Sequence, residues 1–230
     1  MQTKLPKAEH STLYVFVVAL FVTDLLVSNV IAVKTIQLAG VVLQAADLIF
    51  PVTYILGDVL TEVYGYKRAR KAIWIGFSCN LFAVLAITLG QYLPAQPDWH
   101  DQPAYDAILG SQWRIVAASF AAYLFGEFMN SYVLAKMKIW TNGKYLWTRT
   151  IGSTIVGQAF DTSIFLILAF YGVMPNEVLF SLIGFQWLFK VCYETAATPL
   201  TYLVVNYLKR HEGVDVYDQD TKFSPFALAE

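Results

Sequence analysis

The sequence predicts an all-α integral membrane protein with six transmembrane helices, and three observations support this prediction. The chain is 57% hydrophobic but only 14% charged, with a mean hydropathy of +0.50, whereas soluble domains carry about 25% charged residues. Apolar stretches of about 20 residues, the length needed to cross a bilayer, recur along the chain. Lys and Arg are concentrated in alternate connections. With a net charge of −1, the chain has no basic field that would indicate a nucleic-acid partner.

The apolar stretches divide the 230-residue chain into three parts. We expect a cytoplasmic N-terminus over 1–11, a transmembrane domain over 12–208 and a cytoplasmic tail over 209–230. The expected spans are 12–34, 46–66, 71–93, 113–137, 150–173 and 178–208. The first stretch is too long for the apolar region of a typical signal peptide and lacks a small-residue cleavage site, so we expect it to remain as a span.

The basic residues predict the orientation of the bundle. They lie at the N-terminus, in the second and fourth loops and after the last span: Lys4, Lys7, Lys67, Arg68, Arg70, Lys71, Lys136, Lys138, Lys144, Arg149, Lys209 and Arg210. The other loops are poor in positive charge, so the positive-inside rule predicts that both termini are cytoplasmic. Arg149, at the entrance of the fifth span, is expected to snorkel toward the interface.

Three segments outside the spans carry weaker patterns. Residues 35–38 and 41–44 are compatible with a small outer β-hairpin or with an irregular loop. The proline-rich segment 94–112 predicts an ordered but irregular cap over the outer mouth. The sequence of the tail predicts an extended chain. Three of its residues are candidates to pack it against the transmembrane domain: Phe223, Pro225 and Phe226.

Polar residues recur at helical spacing inside the spans. Tyr54, Asp58 and Glu62 lie four residues apart on one helix face, as do Gln186, Lys190 and Glu194 on another. Such faces must point toward the protein interior or a water-filled cavity. The spans hold six carboxylates: Asp24, Asp58, Glu62, Glu127, Asp161 and Glu194. A central charge costs about 2.5–3.5 kcal/mol, and the one clear central cation, Lys190, is expected to pair with Glu194. The other carboxylates need protons, a bound cation or a ligand rich in hydrogen-bond donors.

Structural roles remain alternatives for several of these residues. Asn80, Thr154 and Gln158 have the residue types that join helices by hydrogen bonds, and Lys190 with Glu194 could be a purely structural pair. A small residue precedes a polar one at Gly57-Asp58, Gly126-Glu127 and Gly157-Gln158. This pattern lets helices approach closely and does not establish an internal repeat. Tyr54 and Trp187, beside the polar faces, could stack on a flat ligand or belong to ordinary packing.

The sequence contains few residue patterns that would indicate catalysis or metal binding. His10, His100 and His211 lie outside the apolar stretches, and Cys79 and Cys192 have no ligand spacing. We therefore expect no catalytic residues, no metal site and no cofactor.

Long segments of the chain resemble one family. They are YILGDVLTEVYGYKRARKAIWIGF at 54–77, FGEFMNSYVLAKMKIWTNGKYLWTRTIGSTIVGQAFDTSIF at 125–165 and LKRHEGVDVYDQDTKFSPF at 208–226. They resemble the queuosine precursor transporter family, earlier labelled a vitamin uptake transporter family. At the position of Gln158 the family more often has Glu.

The resemblance implies a bacterial inner-membrane importer of 7-deazaguanines for the queuosine nucleoside of tRNA. The implied substrates are 7-cyano-7-deazaguanine, its 7-aminomethyl analogue and queuine, and the alternative is another flat polar nutrient such as a vitamin or purine base. The implied fold is similar to the six-helix substrate-binding subunits of energy-coupling-factor transporters, without their ATPase module. A chain this small is compatible with a homodimer.

The chemistry of such a base agrees with the residues. Its ring N–H and exocyclic amine are adjacent donors, and one carboxylate can accept both in charge-assisted bonds. Its carbonyl needs a donor, and its flat ring needs aromatic walls. The expected substrate-binding residues are Tyr54, Asp58, Glu62, Asn80, Glu127, Asn130, Gln158, Asp161, Trp187, Lys190 and Glu194.

Overall fold

The computed structural model describes residues 11–38, 41–110 and 113–227, which form a helical bundle with one β-hairpin. The helices are α1 (Thr12–Ile31), α2 (Phe50–Tyr64), α3 (Tyr66–Tyr92), α4 (Gln102–Leu109), α5 (Trp113–Trp140), α6 (Leu146–Phe170) and α7 (Asn176–Glu212). The strands are β1 (Thr35–Leu38) and β2 (Val41–Gln44), followed by a 3₁₀ turn over Ala45–Leu48. Lys4 and Lys7, which contribute to the orientation argument, lie outside the described residues.

The apolar helices identify the chain as a membrane protein. Among the described residues, three helices are long and apolar enough to cross a bilayer: α1, α3 and α6. Helices α5 and α7 are also long, but they carry buried charges. The 15 residues of α2 span only about 22 Å at about 1.5 Å per residue, less than the hydrocarbon thickness of about 30 Å. The second apolar segment therefore forms a shorter helix than the 46–66 span that the sequence predicts.

Helices α2 and α3 meet at one residue, Gly65, with no loop between them. Gly65 has φ +84°, a conformation that favours glycine because it has no β-carbon. The chain therefore reverses immediately, and α3 starts at Tyr66 and not at residue 71 as the sequence predicts. Lys67 and Lys71 consequently lie in the first turns of a helix, and their assignment to a loop is wrong.

The segments at the opposite end of the bundle are ordered. The hairpin is present, with Thr35 opposite Gln44 and Ile36 opposite Leu43, and its turn at 39–40 lies outside the described residues. The prediction of an irregular cap over 94–112 is wrong in part, because the segment contains α4. Pro103 in the first turn of α4 has a φ suited to a helix start, and the Tyr105 hydroxyl donates to the Ile87 carbonyl on α3 at 3.0 Å.

Helix α2 lies in the centre of the bundle, where it packs against α1, α3, α5 and α7. Helix α5 packs along α6, and α6 along α7. The polar face of α2 is therefore directed at the polar faces of α5 and α7. This arrangement brings together side chains that are far apart in the sequence.

Residues 213–227, here called the strap, run back from α7 along the junction of α2 and α3. Asp218 accepts a hydrogen bond from the Tyr66 backbone N–H at 2.9 Å. Arg70 donates to the carbonyls of Lys222 and Ser224, both at 2.8 Å, and the Trp74 indole donates to the Pro225 carbonyl at 2.8 Å. The expected docking of the tail on the body is confirmed.

A candidate substrate site between the helices

A cavity of about 450 Å³ opens beside the hairpin and extends between α1, α3, α5, α6 and α7. Its polar lining includes Asn29, Gln44, Asn80, Asp161, Gln186 and Lys190, and its aromatic lining includes Phe50 and Phe120. Asp161 and Lys190 are both buried, so the cavity reaches the interior of the bundle. Asn80 also accepts a hydrogen bond from Asn29 at 3.0 Å.

Lys190 pairs across helices, not along its own helix. Its Nζ lies 3.0 Å from Asp161 Oδ2 and 5.2 Å from the centre of the Phe50 ring. The expected pair with Glu194 is wrong, since Glu194 accepts instead from Thr154 and Gln158, both at 2.6 Å. All these partners of Lys190 and Glu194, apart from Phe50, lie on α6. The long lysine side chain reaches the α6 carboxylate more readily than the one four residues along its own helix.

Four side chains from α2, α5 and α6 form what we call the acceptor cluster: Tyr54, Glu127, Asn130 and Gln158. Each has a relative exposure of 0%. Among the described residues, no hydrogen-bond partner is found for the Tyr54 hydroxyl, either carboxylate oxygen of Glu127, Asn130 Oδ1 or Gln158 Oε1. The amide nitrogens are satisfied, because Asn130 donates to Asp58 at 2.7 Å and Gln158 donates to Glu194. The cluster therefore presents acceptor atoms in excess of donors.

Glycines allow the cluster to assemble. A β-carbon at Gly57 would stand 2.8 Å from Glu127 Oε2, and one at Gly157 would stand 2.7 Å from the Asn130 β-carbon. One at Gly126 would collide with the Tyr54 hydroxyl and stand 2.8 Å from the Asp161 β-carbon. The close helix approach expected from the glycine–polar pattern is present at all three glycines.

The cluster lies between the large cavity and a much smaller void. Asp161 lines the cavity. Its β-carbon and the Tyr54 hydroxyl both lie next to Gly126. On another side of the cluster lies a void of about 10 Å³, bordered by Asp58, Thr154 and Glu194, about the size that one water molecule occupies. The four cluster residues themselves line neither space, and Asp161 is the residue that connects the surroundings of the cluster to the larger cavity.

The unpaired acceptors are costly for the empty protein. A buried polar group without a partner costs about 1–3 kcal/mol, and a charged one costs more. Five such atoms lie together in the cluster, and a group of this kind calls for a specific explanation. The arrangement is suited to binding a compact molecule that offers several adjacent N–H or O–H donors.

Glu62 lies in a separate cluster of charges. Arg149 donates two hydrogen bonds to its carboxylate, at 2.7 and 2.8 Å. Lys209 lies 2.5 Å from it and Lys138 3.5 Å. The sequence predicts Glu62 as a substrate-binding residue, but its carboxylate is already bound by three cations. The prediction that Arg149 snorkels is wrong, because it is only 1% exposed and its guanidinium is bound to Glu62.

Trp187 also lies apart from the cavity lining. Its indole N–H donates to the Ile155 carbonyl at 3.0 Å, which joins α7 to α6. Thr162, which accepts from Lys190 at 3.5 Å, and the partners of Glu62 are not among the site residues that the sequence predicts. Those partners come from α5, α6 and α7, and spacing along one helix gives no signal for them.

Comparison with known proteins gives a consistent set of relatives. The family model described as a putative vitamin uptake transporter matches residues 44–204, a range that includes the whole acceptor cluster. A probable queuosine precursor transporter of Bacillus subtilis is 33% identical over 178 residues, 76% of this chain and 77% of the relative. A queuosine precursor transporter of Escherichia coli is 25% identical over 122 residues, 53% of this chain and 52% of the relative. No solved structure gives a significant match.

Proposed function

The chain belongs to the putative vitamin uptake transporter family, and from that premise we propose that it carries queuosine precursors across the inner membrane of a bacterium. In this proposal the five long helices and the shorter α2 form the transmembrane domain. Both termini are cytoplasmic, and the carrier works by alternating access without an ATPase module. The names of relatives from Bacillus subtilis and Escherichia coli support a queuosine precursor as the substrate class.

The observation that best supports the proposal is the environment of the Glu127 carboxylate. Its carboxylate is fully buried, and neither oxygen has a hydrogen-bond partner in the described part of the chain. A 7-deazaguanine presents a ring N–H and an exocyclic amine side by side, which match the two oxygens of one carboxylate. Charge-assisted bonds of this kind are about twice as strong as neutral ones. We therefore assign Glu127 to the amine edge of the base.

The remaining acceptors and the cavity suit the rest of such a ligand. Asn130 Oδ1 and Gln158 Oε1 can accept further N–H groups, while the Tyr54 hydroxyl can donate to the ring carbonyl. Lys190 in the cavity wall is a second donor, and the neighbouring Phe50 is an aromatic surface for a flat ring. Asp58 and Glu194 hold the amides of Asn130 and Gln158 in position.

This assignment predicts that recognition depends on the exocyclic amine. An analogue without the amine leaves a buried carboxylate oxygen unpaired, and such a mismatch produces steep discrimination. Hydrogen bonds to charged groups contribute about 1.5–3 kcal/mol, so we expect the analogue to bind roughly 10- to 150-fold more weakly.

The test is calorimetric titration of the purified full-length protein in detergent. We expect 7-cyano-7-deazaguanine to bind with one site per chain and 7-cyano-7-deazahypoxanthine, which lacks the amine, to bind more weakly by the factor above. Equal affinity for the two bases would contradict the role of Glu127. Binding of a vitamin such as riboflavin or thiamine, with no response to either base, would contradict the substrate class.

A further inference from the structure

Glu62 and the four charged groups around it connect four helix ends to the strap. Glu62 comes from α2, Lys138 from α5, Arg149 from α6 and Lys209 from α7. Asp215, on the strap, lies 2.5 Å from Lys138 and 2.9 Å from Lys209. Three cations and two carboxylates thus meet at the end of the bundle opposite the hairpin.

The strap covers this meeting point closely. The Val216 backbone N–H donates to the Val63 carbonyl at 3.4 Å, and Lys138 donates to the Val216 carbonyl at 2.7 Å. Gly65 has no room for a side chain, because its β-carbon would stand 2.6 Å from Val216 Cγ1. Lys136 lies 4.0 Å from the centre of the Phe223 ring on the same strap.

The spaces near the acceptor cluster differ greatly in volume. The cavity at the hairpin end has a volume of about 450 Å³. The void on the other side measures about 10 Å³ and is bordered by Thr150, next to Arg149, and by Thr201 on α7. The residues around this void come from α2, α6 and α7, and Glu62 binds Arg149 between α2 and α6.

Each cation that binds Glu62 also has a second hydrogen-bond acceptor. Arg149 also donates to the Lys144 carbonyl at 2.8 Å, and Lys138 and Lys209 both bind Asp215. Removing one member of a fully buried ion pair ordinarily leaves an uncompensated charge. If Glu62 moves away with α2, Lys138 and Lys209 keep Asp215 but Arg149 keeps only the neutral Lys144 carbonyl, so opening has an electrostatic cost that favours the closed contact.

We propose that Glu62, Arg149, Lys138, Lys209 and Asp215 form the inner gate of the carrier and that the strap holds this gate closed. The gate opens when α2 separates from α6, so that the substrate passes from the acceptor cluster to the cytoplasm. The assignment rests on the proposed function for the direction of transport. The closure itself follows from the contacts of the five residues.

The gate is tested by cysteine accessibility in the full-length chain. Thr201, which is 3% exposed and borders the small void, is replaced as Thr201→Cys after Cys79→Ala and Cys192→Ala. A membrane-impermeant maleimide is applied to the cytoplasmic side of sealed vesicles. We expect slow labelling in this parent and labelling faster by roughly tenfold in Asp215→Asn and in Glu62→Gln, which corresponds to a loss of about 1.4 kcal/mol of closure.

The matched control is Asp220→Asn. Asp220 is an exposed strap residue, and no hydrogen bond or ion pair of its side chain is found in the described ranges. Its labelling rate should equal that of the parent. If Glu62→Gln does not fold, the labelling rate of Asp215→Asn tests the gate alone. Asp215 is 43% exposed, so its replacement leaves the core intact. Rapid labelling of the parent, or an unchanged rate in a folded Asp215→Asn protein, overturns the gate.

The readout uses no substrate, so it depends on the proposed orientation of the chain but not on the identity of the substrate. Faster labelling in the gate variants without any binding of deazaguanine would retain the gate and reject the substrate. Deazaguanine binding with unchanged labelling would retain the substrate and reject the gate.

Discussion

The Glu127 carboxylate on α5 lies against the backbone of Gly57 on α2, so closely that a β-carbon at residue 57 would stand 2.8 Å from Oε2. The missing side chain of Gly57 thus provides the space in which the unpaired carboxylate is buried. Helix packing and ligand binding therefore depend on the same contact. A substitution at Gly57 should change ligand binding by Glu127 as well as the stability of the fold.

Gly57→Ala should weaken both the fold and ligand binding. The added methyl group must displace Glu127, and overpacking of this kind typically costs about 1–3 kcal/mol. Gly184→Ala is the matched control, because a β-carbon at Gly184 meets nothing within 4 Å. Since Ala is favoured over Gly in a helix by roughly 0.5–1 kcal/mol, Gly184→Ala should be neutral or stabilising. Thermal unfolding in detergent measures the stability of the two variants. Equal effects of Gly57→Ala and Gly184→Ala on stability would argue against the contact.

Glu127→Gln should weaken ligand binding without lowering the stability of the fold. Since the carboxylate has no hydrogen-bond partner in the described part of the protein, its loss should leave the thermal midpoint unchanged or higher. Binding of 7-cyano-7-deazaguanine should weaken roughly 10- to 150-fold, because charge-assisted hydrogen bonds contribute about 1.5–3 kcal/mol. The control is Glu177→Gln at the exposed start of α7, which should alter neither quantity. A large loss of stability with unchanged affinity would assign Glu127 a structural role.

The Lys190–Asp161 pair should show strong coupling in a double-mutant cycle. Lys190→Met leaves Asp161 as a buried carboxylate without its cation, and breaking such a pair costs about 3–5 kcal/mol. Adding Asp161→Asn to Lys190→Met removes the uncompensated charge and should recover a large part of that loss. Thermal midpoints of the two single variants and the double variant give the coupling. Additive effects would indicate that the 3.0 Å contact contributes little.

Attachment of the strap should depend on pH through Asp215. Burial acts to raise the pKa of Asp215, but the hydrogen bonds and charges of Lys138 and Lys209 outweigh it and hold the pKa below the ordinary value of 3.8. A carboxyl whose pKa is lower in the folded state contributes stability that is complete above its unfolded value and lost as pH falls through the folded value. The strap should therefore stay attached from neutral pH down to about pH 5 and loosen below about pH 4.

A nitroxide spin label at Asp220→Cys reports this attachment by electron paramagnetic resonance. The label should have constant mobility from neutral pH to about pH 5 and higher mobility at more acidic pH. With Asp215→Asn added, the strap should be more mobile at neutral pH and lose most of this pH dependence. An identical acid response with and without Asp215 would show that another group controls the attachment.

Much of the helical layout could be predicted from the sequence, because long apolar stretches and helical spacing are local properties. The polar faces bearing Asp58, Glu127 and Asp161 were identified in this way. The junction at Gly65 was missed, since the basic residues that normally end a span here begin the next helix. The sequence overestimates the length of α2 because the residues that precede it, Ala45–Leu48, form a 3₁₀ turn and not part of the helix.

The partners of the buried charges could not be predicted from spacing. Helical periodicity shows which face a residue occupies, but not which helix lies opposite that face. Spacing along the chain therefore predicts a pair of Lys190 with Glu194 and a position at the membrane interface for Arg149. The bundle instead brings Asp161 to Lys190 and Glu62 to Arg149, contacts that depend on how α2, α6 and α7 pack.

Uptake of radiolabelled 7-cyano-7-deazaguanine into proteoliposomes containing the full-length protein tests the central claim most directly. The account predicts saturable uptake that excess unlabelled base abolishes, that Glu127→Gln strongly reduces and that Glu177→Gln leaves unchanged. Uptake equal to that of protein-free liposomes, or uptake that Glu127→Gln does not alter, would contradict it.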